Sequence, residues 1–200
     1  TGSTTVQVNE DSPPTIAIDA KGGAMAAWIR TGDVATSRFT KAGGWTAVTA
    51  ADAGTGSVAA WAPRLANTGD DFMVFWHQAV GNVRNAFANR YTGTAWAAQP
   101  ALLSNGNTSV HEWSDTGFAL DRHGNGIAVW AQGDDVRSGR YVASAKEWQA
   151  DTLVEKLDTS SNPVIETLAG VSPNGMAAAM YAIGYPYHQT HNAIYGAVFE

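Results

Sequence analysis

Apolar and polar residues alternate in short stretches along this chain, and the same stretch returns four times at a spacing of about fifty residues. Each return has an alternating strand, a Gly-rich turn and a second strand that ends in an aromatic residue. A third strand also ends in an aromatic, and a Trp opens a fourth. The second-strand aromatics are Trp28, Trp76, Trp130 and Tyr181, in steps of 48, 54 and 51 residues. Those of the third strand are Phe39, Tyr91, Tyr141 and Phe199, in steps of 52, 50 and 58. Alternation with a period of two marks half-buried strands, and the Gly/Asn/Asp clusters between them mark hairpin turns. Four short strands per unit at this period predict the blades of an all-β propeller.

The blades are expected at 14–50, 63–100, 116–152 and 164–200, within one domain of 1–200. Blade 4 offers strands at 165–169, 176–181 and 193–199 but no fourth. A strand-like segment at 4–8 (Thr4-Thr5-Val6-Gln7-Val8) stands unassigned ahead of blade 1. If it pairs with 193–199, the first strand completes the last blade and removes the open sheet edges. The expectation is therefore one four-bladed ring closed by the N-terminal strand. The alternative is a homodimer in which each chain gives four blades to an eight-bladed ring.

The phrase Asp19-Ala20-Lys21-Gly22-Gly23-Ala24-Met25-Ala26-Ala27-Trp28 is echoed by Asp121-Arg122-His123-Gly124-Asn125-Gly126-Ile127-Ala128-Val129-Trp130. Both resemble the Asp-x-x-Gly-Asn-x-x-Ala-x-Trp repeats of bacterial secreted β-propellers. Blade 2 carries Asn67 in place of the Asp, and blade 4 has neither the Asp nor the Trp. Most such repeats have no assigned activity, so the resemblance implies a fold and an extracellular setting rather than a reaction.

Composition narrows the field. The formal charge is −6 with no Lys/Arg cluster, which argues against nucleic acid as a partner. With no Cys there is no disulfide framework, thiolate metal site or Cys nucleophile. The longest apolar runs are strand-sized, so no membrane span is expected. The chain opens Thr1-Gly2, which reads as a processed or trimmed product with export behind it. The expected location is secreted, periplasmic or on the cell surface.

In a four-stranded meander, second-to-third loops and inter-blade connections share one face. That face receives two Ser-Val-x-x-Trp segments, which bring Trp61 and Trp113, together with His111, Glu112 and Asp115. From blade 4 it receives Tyr187, His188, Gln189 and His191. Long loops on a rigid scaffold are where binding residues gather. The candidate ligand site is therefore Trp61, Trp113, His111, Glu112, Asp115, Tyr187, His188 and Gln189. The competing reading makes both Trp plugs over the ends of the inner strands. His188 and His191 have the spacing of a metal pair but no third ligand in sequence, so no metal or cofactor is expected. Arg38, Arg90 and Arg140, each before a third-strand aromatic, read better as repeated ion pairs than as an anion-binding array.

Three functions fit these features. The first is a non-catalytic recognition module for a glycan or another small polar ligand. The second is a structural or protein-interaction propeller, and the third is a glycan-acting hydrolase working through Glu112 and Asp115 with His111. The first is the leading expectation, and fold analogy cannot choose among them.

Overall fold

The computed structural model describes residues 12–52, 59–69, 71–104, 107–111, 115–155, 164–185 and 190–199. Among them there is no helix. Four antiparallel meanders follow one another in chain order. Sheet I comprises β1 (Thr15–Ile18), β2 (Ala24–Arg30), β3 (Asp33–Thr40) and β4 (Gly44–Trp45), with β5 (Thr49–Ala50) also on β3. Sheet II comprises β6 (Ala60–Thr68), β7 (Asp71–Val80), β8 (Val83–Tyr91) and β9 (Ala101–Leu102). Sheet III is β10 (Gly117–Leu120), β11 (Gly126–Gln132), β12 (Asp135–Val142) and β13 (Glu147–Trp148), with β14 (Thr152–Glu155) on β12. Sheet IV is β15 (Val164–Val171), β16 (Ala177–Tyr185) and β17 (Thr190–Phe199).

The first hairpins of sheets I and III are built by the same local device. In the turn after β1, Asp19 Oδ1 accepts the backbone N–H of Lys21 at 2.9 Å and of Gly23 at 2.6 Å. After β10, Asp121 Oδ1 accepts those of His123 at 2.7 Å and Asn125 at 2.9 Å. The fourth turn residue is Gly22, Gly124 or Gly175, with φ of 76°, 88° and 90°. That left-handed geometry is open to Gly at little cost, which explains the fixed spacing. The expected ion pairs form in two repeats: Arg38 Nη2 lies 2.5 Å from Asp19 Oδ2, and Arg90 pairs with Asp71. Arg140 donates to the carbonyl of Gly175 at 3.3 Å, in the turn between β15 and β16 of sheet IV.

Successive sheets pack face to face, and each seam is a core. Between I and II, Ala27 and Val34 meet Val74 and Trp76. Between II and III, Phe75 and Ala86 meet Ala128 and Trp130, and between III and IV, Ile127 and Val129 meet Ala179 and Tyr181. The strand period of two explains this division, because alternate residues of one strand serve opposite seams. In β11, Trp130 faces backward to sheet II while Val129 faces forward to sheet IV. The inner strands β10 and β15 approach so closely that a Cβ on Gly117 would lie 2.4 Å from the backbone of Leu168 and Ala169.

The closure expected from the sequence is not seen among the described residues. No comparable packing joins sheet IV to sheet I among the described residues. The outward face of sheet I stays open, with Ile18 64% exposed, as does that of sheet IV, with Ile194 65% exposed. Among the described residues the four sheets form a run with no strand pairing between sheet IV and sheet I. The segment 4–8 expected to close it lies outside the described residues.

Candidate functional site

The loop end of the II–III seam gathers the chemistry. β6 enters this end through a bulge between Trp61 and Arg64, where Ala62 adopts φ 49° and Pro63 cannot donate to the ladder. The bulge is pinned from outside, since Ala62 N–H donates to Ser12 Oγ at 3.0 Å. It re-aims two side chains. Trp61 is half-buried, with the Arg84 guanidinium 5.0 Å from its ring centroid, a cation–π contact. Arg64 reaches across the seam and places Nη2 2.6 Å from Asp115 Oδ1.

Asp115 sits where three sheets converge. Its side chain, 61% exposed, pairs with Arg64 of sheet II. Its carbonyl accepts the N–H of Thr167, on the inner strand of sheet IV, at 3.0 Å. Gly117, two residues on, donates its N–H to the Thr167 hydroxyl at 3.1 Å. The carboxylate is thus presented to solvent from a backbone held on both sides. Such a group can accept a proton or stabilise developing positive charge without first being ordered.

His77 lies beneath this surface, opposite Trp61 in the β6–β7 register, and is fully buried. Its ring meets the edge of Phe75 at 5.4 Å between centroids. Burial, with the positive charges of Arg84 and Arg64 adding to it, pushes its pKa down to about 3. Neither ring nitrogen has a hydrogen-bond partner among the described residues. His77 is therefore a neutral core imidazole at ordinary pH, not a proton shuttle. His111, on the connection into sheet III, is half-buried, and its N–H donates to the carbonyl of Ala131 at 2.9 Å.

Of the eight residues expected to form the site, the structure brings Trp61, His111 and Asp115 to the same seam end. Trp113, Glu112, Tyr187, His188 and Gln189 lie outside the described residues. Among the described residues no three His, Asp or Glu side chains come together as a metal site. Sequence reasoning missed the part played by Arg64 and Arg84. The signal for Arg64 was Pro63 inside a strand pattern, which marks a bulge and hence a redirected neighbour.

A buried carboxyl of the I–II seam, Asp52, belongs to the framework. Trp76 Nε1 donates to Gln78 Oε1 at 3.0 Å, and Gln78 Nε2 to Asp52 Oδ2 at 3.5 Å, tying the I–II seam. Burial pushes the Asp52 carboxyl up, against the N–H groups that bond it.

No protein-family model matches the chain, and no curated protein matches it. Solved structures do. The α-L-arabinanase of Penicillium chrysogenum, complexed with arabinobiose, aligns at a TM-score of 0.61 and 11% identity, over 93% of this chain and 62% of its own. The NanB sialidase of Streptococcus pneumoniae aligns at 0.59 and 10%, over 92% and 30%. An α-L-arabinofuranosidase of Fusarium graminearum aligns at 0.58 and 11%, over 94% and 65%. The chain thus spans less than two thirds of each of them. At these identities the likeness shows the fold, an antiparallel all-β propeller architecture. It also corrects the leading functional expectation. These three proteins are glycan-acting hydrolases, which favours that alternative over a non-catalytic recognition module.

Proposed function

We propose that this chain is the propeller scaffold of a glycan-acting hydrolase, its four sheets being four successive blades, with the sugar bound at the loop end of the II–III seam. The observation that carries the reading is Asp115: an exposed carboxylate paired with Arg64, fixed by the backbone of sheet IV, and on the same seam end as the Trp61–Arg84 stack. Each part has a task in glycoside hydrolysis. An aromatic face packs against the apolar face of a sugar ring, and guanidinium groups bind its hydroxyls or a carboxylate. In most glycosidases the reaction uses two carboxyl groups, one as proton donor and one as base or nucleophile. Asp115, ion-paired with Arg64, takes the base or nucleophile role. Glu112, three residues earlier in sequence, is the proposed donor. Arabinose- and sialic-acid-containing glycans are the first substrates to try, because they are those of the matched enzymes.

Such substrates lie outside cells, in keeping with the resemblance to secreted bacterial repeats. No helix among the described residues is long and apolar enough to cross a membrane. The test is turnover of arabino-oligosaccharides, aryl α-L-arabinofuranosides and sialosides by the purified chain. Asp115→Asn and Glu112→Gln are each expected to lower kcat by about 10²–10⁴-fold with the fold intact. A wild-type chain inert on all three classes, or full activity in Asp115→Asn, sinks the proposal.

A further inference from the structure

The repeat makes an internal control for the two ends of the molecule. Every sheet has a backward face, which meets the preceding sheet, and a forward face, which meets the next. In sheets II and III the backward faces carry Trp76 and Trp130, both fully buried against the sheet before. Trp96, bridged to Tyr91, and Trp148 on β13 pack into the same two seams. The corresponding residues of sheet I are Trp28 and Trp45. Trp45 is 53% exposed, and Ile16 and Ile18 stand beside it on the same open face.

The forward face of sheet IV mirrors this situation. Forward faces of sheets I and III are built on aliphatic or small residues such as Ala27 and Val129, and that of sheet II adds Phe75 and His77 to Ala86. Sheet IV presents Leu168, Met180, Ile194 and Val198 in the same role, every one of them exposed. A shallow apolar depression of about 90 Å³ opens among Leu168, Met180 and Ile194. At the loop end the two faces also carry opposite charges: Arg30 follows Trp28 on β2, and Glu166 precedes Leu168 on β15.

Open apolar faces of this kind mark association surfaces. Each is the continuation of a seam the chain already builds three times, and the two are complementary to each other rather than to themselves. We propose that a second copy of this chain docks head to tail, the Trp28/Trp45 face of each covering the Leu168/Met180/Ile194 face of the other. A heterologous contact closes only if the rotation returns to its start, and two four-sheet arcs that each span half a turn meet that condition with both faces of each copy covered. The second copy is the favoured occupant because it carries both complementary faces. This inference is independent of the hydrolase reading, and its test does not read activity.

Light scattering on the purified chain is expected to give twice the chain mass. Two variants then test the geometry: Ile16→Glu/Ile18→Glu on the backward face and Leu168→Glu/Ile194→Glu on the forward face. Each alone is expected to run as a single chain. A one-to-one mixture of the two is expected to recover the two-copy mass, since the intact forward face of one meets the intact backward face of the other. Wild type at the mass of one chain overturns the proposal. So does a two-copy mass that survives either variant, because that requires like faces to pair. All four positions are exposed, so an unchanged thermal transition of the single-chain form checks folding. If either double variant fails that check, Ile18→Lys and Val198→Lys take their places in the same mixing experiment.

Discussion

Sheets I and III share a phrase, Asp-x-x-Gly with Ala-x-Trp downstream, yet they place its Trp in different surroundings. Trp130 is fully buried, and its indole N–H donates to Gln132 Oε1 at 3.1 Å. Trp28 is half-buried, the residue two places on is Arg30, and its indole nitrogen has no partner among the described residues. The hairpin and its register are the same, because they depend on the repeat alone. What differs is the neighbour. The repeat specifies a sheet with two faces to cover, whereas burial of each face is supplied by the next repeat along.

The largest expected effect breaks this contrast at the tryptophans. Trp130→Ala should cost about 3–5 kcal/mol in a denaturant titration, as for other large buried side chains. Trp45→Ala, made in the Ile16→Glu/Ile18→Glu background where docking is off, should cost about 1 kcal/mol or less. Equal losses would mean that the faces of sheets I and III are equally covered in the single chain.

The ion pairs sharpen the comparison next. Asp19 is nearly inaccessible, and Asp71 is partly open to water. Asp19→Asn should cost roughly 2–3 kcal/mol near neutral pH, and Asp71→Asn about 1 kcal/mol or less. Burial pushes the Asp19 carboxyl up, but Arg38 and the N–H groups of Gly23 and Lys21 outweigh it and hold the pKa below the ordinary 3.8. A depressed carboxyl stabilises the fold above its unfolded-state pKa. The advantage of wild type over Asp19→Asn should therefore be complete above about pH 5 and fade as pH falls through the folded-state value.

At neutral pH His77 gives the smallest effect, and it is the opposite kind of group, its cost appearing only as the pH falls. Its folded pKa of about 3 lies below the ordinary 6.5, so the unfolded chain binds the extra proton between those limits. Wild type should lose up to roughly 1.4 kcal/mol of stability per pH unit below 6.5. His77→Phe should flatten that part of the profile. An unchanged slope would mean that the imidazole is not held neutral.

Much of the fold was legible in the sequence because it is local. The strands beside Trp28, Trp76 and Trp130 and the turns after Asp19 and Asp121 follow from short-range pattern, as does the expectation that Arg38 and Arg90 are ion-paired. The open ends were not legible, because alternation reports that Ile18 and Ile194 have an inside but not what lies against it. The same limit hid the site: Arg64 and Asp115 are 51 residues apart and meet only across a seam. Trp61 and Asp115 could be assigned to one end of the molecule from topology. The bulge that turns Arg64 toward Asp115, and the burial that silences His77, arise from packing.

The most direct test of the II–III seam as the sugar site follows the indole N–H resonances of the Asp115→Asn chain, in which turnover is blocked. Arabinotriose and a sialoside are titrated in turn, with Trp61 assigned through Trp61→Phe. The expected result is a saturable shift of Trp61 with one of the two sugars, while Trp76 and Trp130 hold still. A Trp61 resonance unmoved by both, or shifts confined to Trp28 and Trp45, would contradict a glycan site at this seam.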